Sequence, residues 1–367
     1  MGSQSKANVL LVGSGGVGTI GALNLEVGGL ANVTAVLRSN YDAVSKNGFH
    51  IKSCDHGTLT GWRPSKSQHP LLSRLNEKTR SLQSPNPVIN SIPDVQKDSI
   101  EAFDYIVCTT KNIPDVPPTL ADLIAPAVTP GHTTIVLIQN GLNIERPLFE
   151  RFPQNPVLSG VSMIGSHEVA HGVIEHDDND QIILGPFRNP NLDPTVEEKA
   201  AKDFVRIYTA GGKTQCDYTA DVGYSRWRKL VYNACLNSIC AITGLDTGRI
   251  RLADCGIDYL VRPAMDEIRA AAAAAGHDLP ADVADTMINI DPLTMYLPPS
   301  MLNDLRKGNF IEVENILGES LREGTAMGVP MPTLKVLYGI CKAIQWRTKE
   351  SRGLVKIPPK GDFVAKS

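Results

Sequence analysis

The sequence lacks a long apolar run, a cysteine cluster and a marked excess of charge of either sign. Its formal net charge of -3 argues against a nucleic-acid-binding protein, because such proteins carry a strongly basic surface. The longest apolar runs, such as residues 8–12 and 134–138, have the length of a strand. A membrane helix needs roughly 20 apolar residues. We therefore expect no nucleic-acid partner and no membrane segment.

The seven cysteines are scattered along the chain and form no Cys-x-x-Cys pair. A disulfide framework or a zinc site would require clustered cysteines, so we expect most of them to be small buried hydrophobic residues in a reducing compartment. The polar residues 1–6 lack the order of a secretory signal, which favours a cytoplasmic protein. Whether any cysteine has a redox role stays open.

Three histidines, at positions 167, 171 and 176, invite interpretation as a metal site. They span a turn and a predicted hairpin, in which alternate residues point to opposite faces, and no recognisable ligand set surrounds them. We therefore expect no bound metal. The acidic run 177–180 lacks the length of a calcium-binding loop and is interpreted as the turn of this hairpin.

The first half of the chain alternates apolar strands with helical segments, which is typical of a parallel sheet covered on both faces. A helix is predicted at residues 17–27, and two shorter β segments, residues 172–175 and 181–184, are interpreted as an added hairpin. The predicted strands of the sheet are residues 8–13, 33–37, 105–109, 134–138 and 157–161.

The second half of the chain has apolar residues at helical spacing. The predicted helices are residues 224–242, 258–275, 311–327 and 333–346. We therefore expect an α/β domain at 7–217, an all-α domain at 218–350 and a tail at 351–367. Residues 61–98 interrupt the α/β pattern with polar residues and a weak helical patch at 71–82, and form either a solvated insertion or a lid over the site.

The segment Gly13-Ser14-Gly15-Gly16-Val17-Gly18 is a G-x-G-x-x-G motif between the first strand and the first helix. Glycines there permit a tight turn, a close approach of the pyrophosphate and helix–strand packing, and the helix N-terminus attracts the anion. The second strand ends at Arg38, where NAD-binding proteins usually carry a carboxylate. A guanidinium can pair with a 2′-phosphate, which favours NADP(H); otherwise Arg38 is a surface charge.

One predicted helix of the second half carries three polar residues, Lys229, Asn233 and Asn237, spaced four apart on one face. Polar groups on a mostly apolar helix are costly unless something polar faces them. A substrate with carbonyl and carboxylate groups would satisfy them. The alternative is that Lys229 extends its ammonium to solvent and that the asparagines bond neighbouring helices.

These residues resemble the ketopantoate reductase (2-dehydropantoate 2-reductase) family, whose members pair a Rossmann domain with a helical C-terminal domain like that of 6-phosphogluconate dehydrogenase. The resemblance covers nearly the whole chain except residues 61–98 and the tail. Its specific motifs are Arg-Lys-Leu-x-x-Asn-x-x-x-Asn at 228–237, Ser-Met-Leu-x-Asp-Leu at 300–305, Glu312, Thr110-Lys111 and Gln139-Asn140-Gly141.

The resemblance implies roles for individual residues. It makes Lys229 the proton donor to the ketone and Glu312 the carboxylate that orients the lysine and the substrate. Substrate binding falls to Asn233, Asn237 and Ser300. Lys111 and Asn140 would line the cofactor and the closing cleft. From the residues alone, Ser300 could equally cap a helix, and Glu312 could be a solvated charge.

The resemblance implies an NADPH-dependent reduction of a 2-oxo acid, most simply ketopantoate to pantoate in pantothenate biosynthesis. The apolar segment 297–299, where bacterial members often carry a polar residue, and the insertion leave two alternatives open. One is reduction of a different ketone, and the other is a non-catalytic NADP(H) sensor. The sequence does not distinguish a monomer from a homodimer.

Overall fold

The computed structural model describes residues 5–64, 88–359 and 361, and the chain divides into two compact units, Met1–Arg226 and Trp227–Ser367. Within the described residues, no helix is long and apolar enough to cross a membrane. Residues 65–87, and with them the helical patch at 71–82, lie outside the described residues. The choice between a solvated insertion and a lid therefore stays a prediction, as does the domain boundary at 217.

Ten strands of the described residues form one sheet in the first unit. In chain order they are β1 Ala7–Val12, β2 Ala31–Val36, β3 Phe49–Ser53, β4 Gly57–Trp62, β5 Val88–Ile89, β6 Tyr105–Cys108, β7 Thr134–Leu137, β8 Val157–Ala170, β9 Val173–Pro186 and β10 Gln215–Tyr218. The accompanying helices are α1 Gly16–Val27, α2 Tyr41–Asn47, α3 Leu120–Ile124, α4 Arg146–Arg151 and α5 Pro194–Thr209. A 3₁₀ turn, Ala125–Ala127, follows α3.

The centre of the sheet is parallel, in the order β5-β2-β1-β6-β7-β8. After β1 the chain forms β2 on one side, and it later returns to form β6 on the other side. This reversal is a topological switch point, and ligands of such sheets bind outside the carboxyl ends of the strands there. Because both faces are covered, alternate residues of β1 enter different cores: Val9 and Leu11 one, Leu10 and Val12 the other.

The predicted hairpin of two short segments is wrong. Residues 173–186 form one strand, β9, that pairs antiparallel with β8. The two predicted segments correspond to the halves of β9 that have different outer neighbours: residues 173–176 pair with β3, and residues 181–184 pair with β10. The acidic residues between them lie opposite an irregularity at Gly165 rather than in a turn.

The second unit is helical, and three of its helices contain π-helical turns. In chain order the segments are α6 Gly223–Leu230, whose first residues belong to the first unit, a π turn Val231–Asn237, α7 Ser238–Thr243, α8 Thr247–Leu252, a π turn Ile257–Val261, α9 Arg262–Ala274, α10 Val283–Ile288, a 3₁₀ turn Leu293–Met295, α11 Ser300–Arg306, a π turn Glu314–Gly318, α12 Glu319–Ala326 and α13 Pro332–Ser351. The α/β unit followed by a helical unit confirms the predicted fold class.

Candidate functional site

The glycine motif forms the turn between β1 and α1, and its glycines serve different purposes. Gly13 has a positive φ of 101°, which L side chains rarely adopt. A Cβ at Gly18 would collide with the Gly13 carbonyl, so Gly18 permits close packing of the helix on the turn. A Cβ at Gly15 would meet no described atom within 4 Å. Gly15 therefore faces open space just before α1, where a phosphate can approach the helix N-terminus.

The side chains around this turn fit an anionic ligand. Ser14 is buried, and its Oγ has no hydrogen-bond partner among the described residues, which is unusual for a buried hydroxyl. A phosphate oxygen would satisfy it. The Asn40 side chain holds the turn by donating from Nδ2 to the Ser14 carbonyl and to Glu168 Oε1, both at 2.8 Å. Sequence reasoning passed over Asn40, whose only signal was its position between β2 and α2.

The other predicted cofactor residues follow neighbouring parallel strands. Arg38 follows β2 and is exposed, Lys111 follows β6 and is exposed, and Asn140 follows β7 and is half-buried. The carboxyl ends of parallel strands meet at one edge, so these residues and the glycine turn share the edge at the switch point. Gln139 ties two of these loops together, because its Nε2 donates to the Thr110 carbonyl at 2.6 Å.

Beneath the loop of Asn140 lies a buried arginine, Arg226, that sequence reasoning missed. Its Nη1 donates to the carbonyls of Gln139, at 2.5 Å, and Gly141, at 3.2 Å, so it holds the peptides on both sides of Asn140. Its Nε donates to Ser159 Oγ at 2.9 Å, and its Nη2 lies 3.5 Å from Glu145 Oε1. Burial lowers the pKa of the guanidinium, and the charge of Glu145 opposes this effect.

In the second unit, the predicted polar stripe begins on α6 and continues through the first π turn. Lys229 is half-buried near the end of α6, whereas Asn233 and Asn237 are buried within the π turn. Single π turns inside helices occur frequently at functional sites. The π turn that contains Asn233 and Asn237 packs against α11, which begins at Ser300. It also packs against the π turn Glu314–Gly318, which follows Glu312 in sequence.

Asn237 and Ser300 are in direct contact. Asn237 Nδ2 donates to Ser300 Oγ at 3.1 Å, and Asn237 Oδ1 accepts from the backbone N–H of Met301 at 2.9 Å. The N-cap position of α11 is held by Pro299, and Ser300 is the first helical residue. Asn237 thus satisfies one of the N–H groups left open at the start of α11 and fixes Ser300, whose side chain is exposed.

Glu312 is buried, with an exposed fraction of 4%, so the interpretation as a solvated charge is wrong. The backbone just before it is held by Gln345, a buried residue of α13. Gln345 Oε1 accepts from the Ile311 N–H at 3.1 Å, and its Nε2 donates to the Ile311 carbonyl at 3.2 Å. A carboxylate at such a position must be matched by polar or charged groups.

The chain matches two family models in succession. Residues 9–189 match ketopantoate reductase PanE/ApbA, and residues 221–345 match the C-terminal domain of the same family. The uncharacterized protein YDL144C of Saccharomyces cerevisiae is 34% identical over 374 residues, covering 96% of this chain and 98% of that protein.

Solved structures agree with the family models. The 2-dehydropantoate 2-reductase of Methylococcus capsulatus is 29% identical with a TM-score of 0.71, over 93% of this chain and 97% of the other. A D-mandelate dehydrogenase solved with NADH and anilino(oxo)acetate shares the fold, with 17% identity, a TM-score of 0.73 and coverage of 93% and 99%. The motifs at 228–237 and 300–305 lie within the matched C-terminal region. The chain belongs to the ketopantoate reductase family of oxidoreductases.

Proposed function

We propose that the protein reduces a 2-oxo acid with NADPH, and that ketopantoate is its substrate. The observation that carries this proposal is the hydrogen bond that joins Asn237, in the π turn after Lys229, to Ser300 on the helix that packs against this turn. This arrangement gathers amide, hydroxyl and ammonium donors in one unit. A 2-oxo acid presents the complementary acceptors, a carboxylate next to a ketone.

NADPH, when bound, supplies the hydride. The Ser14 hydroxyl and the open face at Gly15 receive its pyrophosphate, and Arg38 receives the 2′-phosphate, with which a guanidinium forms paired hydrogen bonds. Lys111 and Asn140 complete the edge of the sheet at the switch point. The absence of a carboxylate at position 38 favours NADPH over NADH, since a carboxylate would repel the additional phosphate.

The helical unit supplies the remaining chemistry. Negative charge builds on the ketone oxygen as hydride arrives at its carbon, and the Lys229 ammonium stabilises this charge and gives its proton. Ser300 binds the substrate carboxylate, and Asn233 and Asn237 bind its hydroxyl and keto groups. Glu312 orients Lys229 and the substrate.

The decisive experiment follows NADPH absorbance with ketopantoate and compares wild type with Lys229→Ala. We expect kcat to fall by about 10²–10⁴-fold, the range of general acid catalysis, with the Kd for NADPH unchanged. Lys335→Ala, which removes an exposed lysine of α13, is the matched control and should retain full activity. Full activity of Lys229→Ala would refute the role of this lysine. The same assay with NADH tests Arg38.

A second candidate, reduction of a different ketone, is favoured by the apolar residues Leu297, Pro298 and Pro299 directly before Ser300. An apolar wall suits a substrate with a larger apolar group, such as an aromatic 2-oxo acid. A panel of 2-oxo acids distinguishes the two candidates. Efficient turnover of ketopantoate alone excludes the second, and turnover of an aromatic 2-oxo acid alone excludes the first. Tight NADPH binding without any turnover would favour a sensor.

A further inference from the structure

A cysteine, an aspartate and a histidine converge at the outer part of the first unit's sheet. Cys54 and Asp55 lie in the turn between β3 and β4, and His176 lies on β9, directly beside β3. One ligand atom from each residue lies within 4.8 Å of the others, the only such group of three among the described residues. The proposed reduction uses none of these residues.

Two of the three distances are close to those between ligands of one tetrahedral zinc ion, and the third is within 4.8 Å. His176 Nε2 lies 3.8 Å from Cys54 Sγ and 3.7 Å from Asp55 Oδ2. Zinc–ligand bonds of about 2.3 Å to sulfur and about 2.0–2.2 Å to nitrogen and oxygen place sulfur and nitrogen about 3.6 Å apart, and nitrogen and oxygen about 3.4 Å apart. Shifts of a few tenths of an ångström would complete these two edges.

The two inner ligands are already held in place. His176 is buried, and its Nδ1 lies 2.8 Å from Ser53 Oγ, which leaves Nε2 directed at Cys54 and Asp55. Histidine ligands of metals usually bond through the other ring nitrogen in this way. The carboxylate of Asp55 accepts from the backbone N–H of Asp180 at 3.2 Å and from the side chain of Asn179.

The electrostatic surroundings favour a cation. The carboxylates of Asp55 and Asp178 both act on the Cys54 sulfur, so its surroundings carry negative charge. Cys54 is exposed, whereas five of the seven cysteines are buried, so a metal can reach this sulfur from solvent. Thiolate, imidazole and carboxylate together are a donor set that suits zinc.

We propose that Cys54, Asp55 and His176 bind a zinc ion that fastens the β3–β4 turn to β9, with water as the fourth ligand. Binding releases the thiol proton of Cys54 to solvent, and the ring proton of His176 resides on Nδ1, on the side of Ser53 Oγ. This proposal differs from the sequence-based expectation of no bound metal, which considered His176 only together with His167 and His171. Both of those histidines are exposed, and the partners of His176 come instead from a turn distant in sequence.

The test uses the full chain, freed of metal by dialysis against a chelator, and titrates it with Co²⁺ and with Zn²⁺. Cobalt should produce the near-ultraviolet absorption of a thiolate–metal bond, and one equivalent of Zn²⁺ should abolish it and raise the unfolding temperature. Cys54→Ala should lose the absorption entirely. Cys255→Ala, which removes the other exposed cysteine, is the matched control and should behave as wild type.

Ser53→Ala provides an independent check, because removing a partner of a ligating histidine typically weakens metal binding about 10–100-fold. The unfolding temperature of each metal-free variant shows whether its fold is intact, and Cys54→Ala should be unaffected because its side chain is exposed. Absence of the thiolate band in wild type would overturn the proposal. Equal loss of the band in Cys54→Ala and Cys255→Ala would also overturn it.

Discussion

The pair of Arg226 and Glu145 allows a sharp test of how the loop of Asn140 is held. Both side chains are at least 95% buried, and Arg226 Nη2 lies 3.5 Å from Glu145 Oε1. Removing one partner of a buried ion pair costs about 3–5 kcal/mol, because the other charge stays buried without compensation. Removing both leaves no such charge. The two single substitutions should therefore be strongly non-additive.

We expect Arg226→Met and Glu145→Gln each to lower the free energy of unfolding by about 3–5 kcal/mol. The double variant should cost about as much as either single variant, which gives a coupling energy of about 3–5 kcal/mol, at or above the upper end for residues in contact. Ser159 bonds both partners, since its Oγ accepts from Arg226 and donates to Glu145 Oε1 at 2.5 Å. It remains in all four proteins, so the measured coupling energy includes the part that passes through Ser159.

The stability of the four proteins is measured by urea unfolding. The Kd for NADPH of each protein is then measured by titrations monitored by NADPH fluorescence. Arg226→Met removes the donor to the Gln139 and Gly141 carbonyls, so its Kd for NADPH should rise, whereas Glu145→Gln should affect this Kd less. Additive losses of stability, with a coupling energy below about 0.5 kcal/mol, would refute the reasoning. They would mean that the carbonyl oxygens alone compensate the guanidinium.

Two further predictions concern the same unit. Gly15→Ala should weaken NADPH binding with little change in stability, because the added Cβ meets only open space. Gly18→Ala should instead lower the unfolding temperature, because its Cβ collides with the turn. The reverse pattern would contradict these assignments. Burial raises the pKa of the Asp180 carboxyl, so the folded protein holds the carboxyl proton more tightly than the unfolded chain, in which the pKa is about 3.9. The free energy of unfolding therefore falls as the pH rises from the pKa of the unfolded chain through the raised pKa of the folded protein. Unfolding measured against pH should show a smaller fall in Asp180→Asn, and identical profiles would disprove the shift.

The sequence predicted the elements whose signals are local. The strand before Gly13 and the helix after it were predicted to within about one residue, because a buried parallel strand and a glycine turn follow from adjacent residues. The strand β9 was mispredicted because its acidic residues 177–180 have the composition of a turn. The outer strands that pair with the residues on either side of this run, β3 and β10, are distant in sequence. Local composition contains no information about such partners.

The same distinction applies to the candidate site. The spacing of Lys229, Asn233 and Asn237 indicated a shared face, but no sequence rule indicated the π turn that contains the two asparagines. Three of the residues that hold the site were missed. Asn40, Arg226 and Gln345 act on backbone carbonyls or N–H groups, which every residue possesses, so their partners leave no trace in the sequence.

These holding residues also bear on how the substrate would be chosen. The side-chain amide of Asn237 already donates to Ser300 Oγ and accepts from the backbone N–H of Met301 before a substrate binds. A substrate that bonds to Asn237 must share or displace the contact with Ser300. A small 2-oxo acid whose carboxylate reaches Ser300 can share it, because a serine hydroxyl both accepts and donates. Under the proposed function, the carboxylate would therefore be the feature of the substrate that the helical unit selects most strictly, whichever group lies beyond its ketone.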